Sequence, residues 1–407
     1  MSSFIKILVV ASVIVIALRR RIHLGIVMLG ASVLLGLMFH MKPLDIAGEM
    51  VTSALAVDSL KLIVSLALVM VLENILREAG FLRDMTSSLS AIVRDQRLVA
   101  VLLPMFIGLL PSAGGALFSA PLVGEITTDL PLSAEKKSFI NYWFRHPMEL
   151  IIPIYPVIIM TSQILGLPMW RYVTLMFPFF LIVLISGAVV AFRRCPSTSL
   201  QVQESRGPTV SDWISMIKSL APITAVVIAV VAFKADVSIA IGTVTFLSAL
   251  YSRVPAKRLV EYLRKAVTGS IIPIIFGVMA FKGVLESSGA IQCLSESFEM
   301  FGVSEVVVAF AMPFLVGLLT GQGSAIAGIA MPVIASFGVS GGLAGTNLRL
   351  IALAIISGHT GLMLSPAHIC FPITVGHFKA DLGKAWQLTA IASSAGVLVA
   401  FILAVIA

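Results

Sequence analysis

Ionisable side chains are scarce in this chain, so those that interrupt its apolar stretches are the first candidates for chemistry. Arg145-His146-Pro147-Met148-Glu149 sets a fixed cation, an imidazole and a carboxylate close together in an otherwise apolar run. Such groups are costly at membrane depth and mark substrate, ion or proton pathways. A second imidazole, His359, sits in Gly358-His359-Thr360-Gly361. It matches His146 at an offset of 213 positions, as Pro366 matches Pro153. A guanidinium suits a carboxylate-bearing substrate, with His146, His359 and Thr360 as neighbours, whereas Glu149 suits a proton or a cation. The alternative for each histidine is a hydrogen bond that caps a helix break, and for Glu149 an intrahelical pair with Arg145 at i, i+4. Glu73-Asn74, Thr320 and Ser365 complete the set of candidate coupling-ion or proton ligands. Glu73 aligns with Lys282 at an offset of 209, placing opposite charges at equivalent points that could pair across the two halves or gate a site. Snorkelling of Lys282 is the alternative.

Two further motifs break helices rather than carry charge. Pro111-Ser112-Ala113-Gly114-Gly115 and Thr320-Gly321-Gln322-Gly323-Ser324 lie in apolar segments that match at the same offset of 209, Pro104 with Pro313 and Gly108-Leu109-Leu110 with Gly317-Leu318-Leu319. A helix interrupted at depth exposes unpaired N–H groups and the positive end of its dipole, which suit an anion, and carbonyls, which suit a cation. Corresponding Gly/Pro-interrupted segments in two halves point to a transporter binding site. Ser112, Ala113, Gly114, Gly115, Gln322, Gly323 and Ser324 are therefore substrate-binding candidates. Gly in tightly packed but ordinary spans is the alternative.

The elements that must hold these residues follow from composition. The chain has 407 residues, 58% hydrophobic and only 12% charged. A soluble domain carries about 25% charged residues, which excludes an ordinary globular enzyme. The expected fold is an all-α polytopic membrane protein built from two repeats, 1–192 and 213–407, joined by a polar linker over 193–212. Each repeat contributes five spans, a re-entrant hairpin (98–127 and 304–336) and a span broken in its middle (138–165 and 348–376). Segments 43–58 and 255–268 each begin near a proline, and the second has the pattern of an interfacial amphipathic helix. The net charge of +8 reflects Lys and Arg gathered in cytoplasmic loops rather than a nucleic-acid surface, and no nucleic-acid partner is expected. The three cysteines, Cys195, Cys293 and Cys370, have neither disulfide-framework nor zinc-finger spacing. No cofactor is expected beyond Na⁺ as a candidate coupling ion.

Charge also orients the chain. With Arg19–Arg21 inside and five spans per half, 20 of the 28 Lys+Arg fall on the cytoplasmic side, the linker's among them. Five spans per repeat make the repeats inverted, bring the hairpins in from opposite faces, and leave both termini outside the cytoplasmic membrane.

The Phe106–Pro121 segment, F-I-G-L-L-P-S-A-G-G-A-L-F-S-A-P, together with the paired hairpins and breaks, resembles the ion-transporter superfamily. It is most similar there to an uncharacterised bacterial and archaeal membrane family of unknown function. The resemblance implies a homodimer whose amphipathic arms, 43–58 and 255–268 here, frame an elevator-type transport domain. Sodium–dicarboxylate members of that superfamily carry Ser-Asn-Thr at both tips. Here the tips read Ser112-Ala113-Gly114 and Gly323-Ser324-Ala325, without the Asn, so that ion and substrate chemistry does not carry over.

The functional expectation is a secondary active transporter of a small carboxylate-like anion, coupled to Na⁺ or H⁺, and not an enzyme. A cation/proton exchanger on the same fold is the alternative. A remoter one is an intramembrane metalloenzyme using the H-x-x-E spacing of His146–Glu149 with His359. The topology is tested by reporter fusions within 193–209, which should read cytoplasmic; an outside signal would overturn the orientation.

Overall fold

A computed structural model describes residues 3–20, 22–111, 115–193, 207–268, 271–290, 293, 303–338 and 347–406. Among them every regular element is helical. The first half runs α1 (Ser3–Arg19), α2 (Leu24–Met38), α3 (Pro43–Ala54), α4 (Val57–Glu78), α5 (Phe81–Ile92), α6 (Gln96–Ile107), α7 (Gly115–Ile126), α8 (Ala134–Trp143), a 3₁₀ turn (Pro147–Leu150), α9 (Pro156–Ile164) and α10 (Met169–Phe192). The second half runs α11 (Val210–Val231), α12 (Val237–Tyr251), α13 (Ala256–Thr268), α14 (Ile271–Ser287), α15 (Glu305–Thr320), α16 (Gly323–Ala325), a π turn (Ile326–Ala330), α17 (Met331–Gly338), α18 (Leu348–Leu364), α19 (Cys370–Phe378) and α20 (Leu382–Val405).

Helix starts follow local capping chemistry. The side chains of Asp95, Ser133, Asp236, Ser304, Asn347 and Asp381 accept hydrogen bonds from the first-turn amides of α6, α8, α12, α15, α18 and α20. Thr209 and Asp212 form a reciprocal capping box that starts α11 inside the 193–212 segment. The rest of that linker, 194–206 with Cys195, lies outside the described residues.

Five helical stretches are long and apolar enough to cross a membrane: α4, α10, α11, the stretch from α13 into α14, and α20. The chain is a multi-pass membrane protein. The other apolar helices, such as α2, α12, α15 and α18, have at most 17 residues, fewer than the ~20 a single span needs.

The packing is reciprocal between halves. Helix α2 packs on α14 as α12 packs on α4, and α3 lies on α14 as α13 lies on α4. These helices form one group. The α6–α7 pair, α8, α15 and α18–α20 form another, with α10 running along α20. Arms α3 and α13 expose apolar side chains, Leu44, Val51, Val260 and Leu263 among them. On α13, Glu261 pairs with Lys265 at 2.8 Å and with Arg258 at 3.5 Å along the polar face.

Two sequence expectations change here. Glu73 does not meet Lys282: it pairs with Arg77 one turn on in α4, and Lys282 lies 3.8 Å from Glu286 in α14. A partner one helical turn away on the same face is closer than a matched position in the other half. His359 and Thr360 do not lie in a break, because α18 continues to Leu364 and the interruption falls at 365–369. The Asn74 side-chain amide donates its Nδ2 hydrogen to Met70 O at 2.7 Å.

The tightest seam joins α15 and α18. A Cβ on Gly361 would collide with the Phe314 carbonyl, and one on Gly317 with the Gly358 carbonyl, so small residues set the interaxial distance. Gly361→Val should lower stability by about 1–3 kcal/mol through overpacking, read as a drop in detergent-phase Tm. Gly30→Ala, where nothing lies within 4 Å of the new Cβ, should leave Tm unchanged or raise it. The opposite ranking would refute the seam.

Candidate functional site

The site is assembled where helices stop. Helix α8 ends at Trp143 and α9 begins at Pro156. Between them Pro147, Pro153 and Pro156 remove backbone donors and disfavour helix in the residues before them. The second break follows Leu364, where Pro366 acts in the same way and the buried Ser365 hydroxyl accepts from Ala367 N at 3.2 Å. Helix α15 stops at Thr320. Its cap, Gly321, has φ of 63°, and a Cβ there would lie 2.5 Å from His368 N. Both the left-handed backbone and the close approach require glycine. The Thr320 hydroxyl donates to Val316 O at 2.7 Å and accepts from Gln322 N at 3.3 Å, which fixes the reversal.

These interruptions converge on one cavity of about 520 Å³. Arg145, His146 and Glu149 line it, together with Gln322, Gly323 and Ser324 of the turn after α15. Pro111, the last described residue before the first tip, also reaches it, with Tyr155, His368 and Cys370. Arg145 is 5% exposed and His146 1% exposed. Arg145 Nη1 lies 3.2 Å from Cys370 Sγ. Glu149 Oε1 lies 3.9 Å from His146 Nε2, and the break removes the helical i, i+4 geometry that would pair it with Arg145.

Polar contacts from one half to the other hold the walls. The Tyr142 hydroxyl donates to Met363 O at 2.9 Å, and Asn141 Nδ2 donates to Thr374 Oγ1 at 3.0 Å. His146 Nδ1 donates to Tyr142 O at 2.6 Å, and His368 Nδ1 to Gly321 O at 2.8 Å. The Nε2 atoms of His146 and His368 face each other at 3.0 Å. Tyr155 donates its hydroxyl to the Gly108 carbonyl, which ties the end of α6 to the first break.

The structure therefore brings together Arg145, His146, Glu149, Gln322, Gly323 and Ser324. It places others apart. His359 Nε2 donates to His146 O at 3.3 Å, and the ring lines a separate small pocket of about 20 Å³ with Glu149, Thr161 and Gly323. That volume suits about one water-sized occupant. Thr360 and Ser365 are buried without lining the main cavity, Thr320 serves as a cap, and Gly115 starts α7. Glu73 and Asn74 face other partners. Ser112, Ala113 and Gly114 lie outside the described residues. Sequence reasoning missed Tyr155, His368 and Cys370; the signal for the last two was the His-x-Cys spacing directly after Pro366.

Three metal-ligating side chains are also gathered, His146, His368 and Cys370, with ligand atoms all within 4.8 Å of one another. The set expected from spacing, His146 with Glu149 and His359, is not the one assembled, because His359 points its Nε2 at a carbonyl oxygen.

Access to the cavity is measurable. In a background without native cysteines, Ser324→Cys should react with a membrane-impermeant maleimide, whereas Ser357→Cys, fully buried on α18, should not. An inert Ser324→Cys would remove that residue from an aqueous site.

Comparison with known proteins follows the same lines. No curated protein matches the chain in sequence. The YdaH transporter of Alcanivorax borkumensis, a solved structure, superposes with a TM-score of 0.63 at 13% identity, covering 88% of this chain and 86% of that one. At that identity the likeness is one of fold. A family model described as "Protein of unknown function (DUF401)" matches residues 1–406, and the chain belongs to that family.

Proposed function

We propose that this protein is a secondary active transporter for a small carboxylate-bearing anion, working across the cytoplasmic membrane with Na⁺ or H⁺ as the coupling ion. The observation that carries this reading is the shared cavity, lined both by a buried guanidinium, Arg145, and by the backbone turn Gly321–Ser324. From Gly323 the chain runs helically to Gly338, so the amides at its start and the positive end of its dipole favour an anion. Arg145 adds a fixed charge and a planar pair of donors that match a carboxylate. A volume of about 520 Å³ lies in the range of small-ligand sites. The likeness of fold to a transporter and the repeated element order of the two halves support transport over catalysis.

In this reading the halves are inverted repeats, and each contributes a helix interruption to the cavity, at Pro111 and at Gly321–Ser324. The helix group holding α6–α9 and α15–α19 moves as an elevator against a homodimeric scaffold framed by α3 and α13. The apolar side chains exposed on both arms support that framing role, in contact with lipid or with a second copy.

The test is uptake of labelled mono- and dicarboxylates into proteoliposomes under separate Na⁺ and pH gradients. At least one carboxylate should accumulate, and Arg145→Gln should reduce its uptake by about 100-fold or more, the loss expected for a buried charge-assisted contact. Wild-type rates in Arg145→Gln would refute the site. A pH gradient dissipated by Na⁺ with no carboxylate present would instead support cation/proton exchange.

A further inference from the structure

The two cavity-wall histidines pose a problem of protons. His146 Nδ1 lies 2.6 Å from Tyr142 O, and His368 Nδ1 lies 2.8 Å from Gly321 O. A carbonyl oxygen only accepts, so each Nδ1 must carry a hydrogen. Both neutral rings are then the Nδ1–H tautomer, and both Nε2 atoms present lone pairs. Those lone pairs face each other across 3.0 Å, with no hydrogen of either neutral ring between them. A cation belongs there. Cys370 Sγ is the third ligand atom within 4.8 Å, with Arg145 Nη1 3.2 Å from that sulfur, and a metal ion takes up a cysteine as its thiolate.

We propose that His146 Nε2, His368 Nε2 and Cys370 Sγ form a binding site for one divalent transition-metal ion of the Zn²⁺ type, with its fourth position facing the cavity. Two imidazoles and a thiolate are a borderline-soft donor set that selects such ions over Na⁺, Mg²⁺ or Ca²⁺. Three protein ligands and an open position are the arrangement of an exchangeable rather than a closed structural site. The outer shell is already in place: each ligating ring donates its other nitrogen to a backbone carbonyl, which fixes tautomer and orientation.

The adjustment needed is small. With metal–nitrogen bonds of about 2.0–2.1 Å and tetrahedral angles, the two nitrogens stand about 3.4 Å apart. The pair opens by a few tenths of an ångström, and the sulfur closes on the nitrogens from at most 4.8 Å to about 3.5 Å, a movement of up to about 1.3 Å. The thiolate and the Glu149 carboxylate, 3.9 Å from His146 Nε2, offset the charge of the ion beside Arg145. The open position faces the same cavity as Arg145 and Ser324, where water or an anionic oxygen completes the coordination. The site stands whether or not the chain carries carboxylates, since metal binding is read without transport.

The experiment is titration of the purified full chain, free of any polyhistidine tag, with Co²⁺ as a spectroscopic stand-in for Zn²⁺. Wild-type protein should take up one Co²⁺ per chain, with visible bands of tetrahedral intensity and a near-ultraviolet thiolate-to-cobalt charge-transfer band. Zn²⁺ should displace the signal. Cys370→Ser should abolish the charge-transfer band, and His368→Gln should weaken binding at least about tenfold. The Cys195→Ser/Cys293→Ser double variant should bind as wild type. Metal-free unfolding of every variant is measured in parallel, and two ligand variants keep the test decisive if one misfolds. Absence of saturable Co²⁺ or Zn²⁺ binding by wild-type protein overturns the proposal and leaves a shared proton as the cation between the rings. Binding unchanged in a folded Cys370→Ser or His368→Gln variant also overturns it.

Discussion

Backbone polar groups freed at depth in a membrane must find partners inside the protein, and the core of this chain is built on that constraint. Four interruptions, after Ile107, Trp143, Thr320 and Leu364, each leave carbonyls and amides without helical partners. They are satisfied largely by one another's neighbourhoods. Tyr155 serves Gly108, Tyr142 serves Met363, His359 serves His146, His368 serves Gly321, and Trp386 donates to Leu364 O at 3.0 Å. Each bond is modest alone, about 1 kcal/mol net, but leaving such a group unpaired in a buried site costs more than the bond gains. The cavity exists because the breaks must stay together.

That arrangement explains why aromatic and imidazole side chains crowd the site. A tyrosine or histidine reaches a carbonyl on a neighbouring helix while its ring fills apolar space. Tyr142, His146, His368 and Phe371 pack ring against ring with centroids 4.8–5.9 Å apart. The same rings orient the site's polar atoms, so packing and chemistry use the same residues.

Much of this was legible in the sequence. Proline and glycine marked the helix interruptions after Trp143, Thr320 and Leu364, because their effects on helices are local and need no knowledge of neighbours. Charge scarcity singled out Arg145, His146 and Glu149 for the same reason. What failed was the use of a constant offset to pair side chains. An offset aligns positions along the chain but says nothing of where a helix ends, and α18 runs on past His359 while α8 stops before His146. It likewise matched Glu73 with Lys282, although each had a closer partner one turn away. His368 and Cys370 were missed because their partners lie more than 200 positions away.

The last turn of α8 and the residues just after it show what such a seam demands of an evolving sequence. Asn141, Tyr142, Arg145 and His146 address Thr374, Met363, Cys370 and His368 in turn. Four polar side chains in this short stretch of the first half therefore have a partner in the second. A substitution on one side is felt as an orphaned buried group on the other, so the two stretches are free to change only in concert. A chimaera exchanging one half for a distant relative's would fail first at this seam.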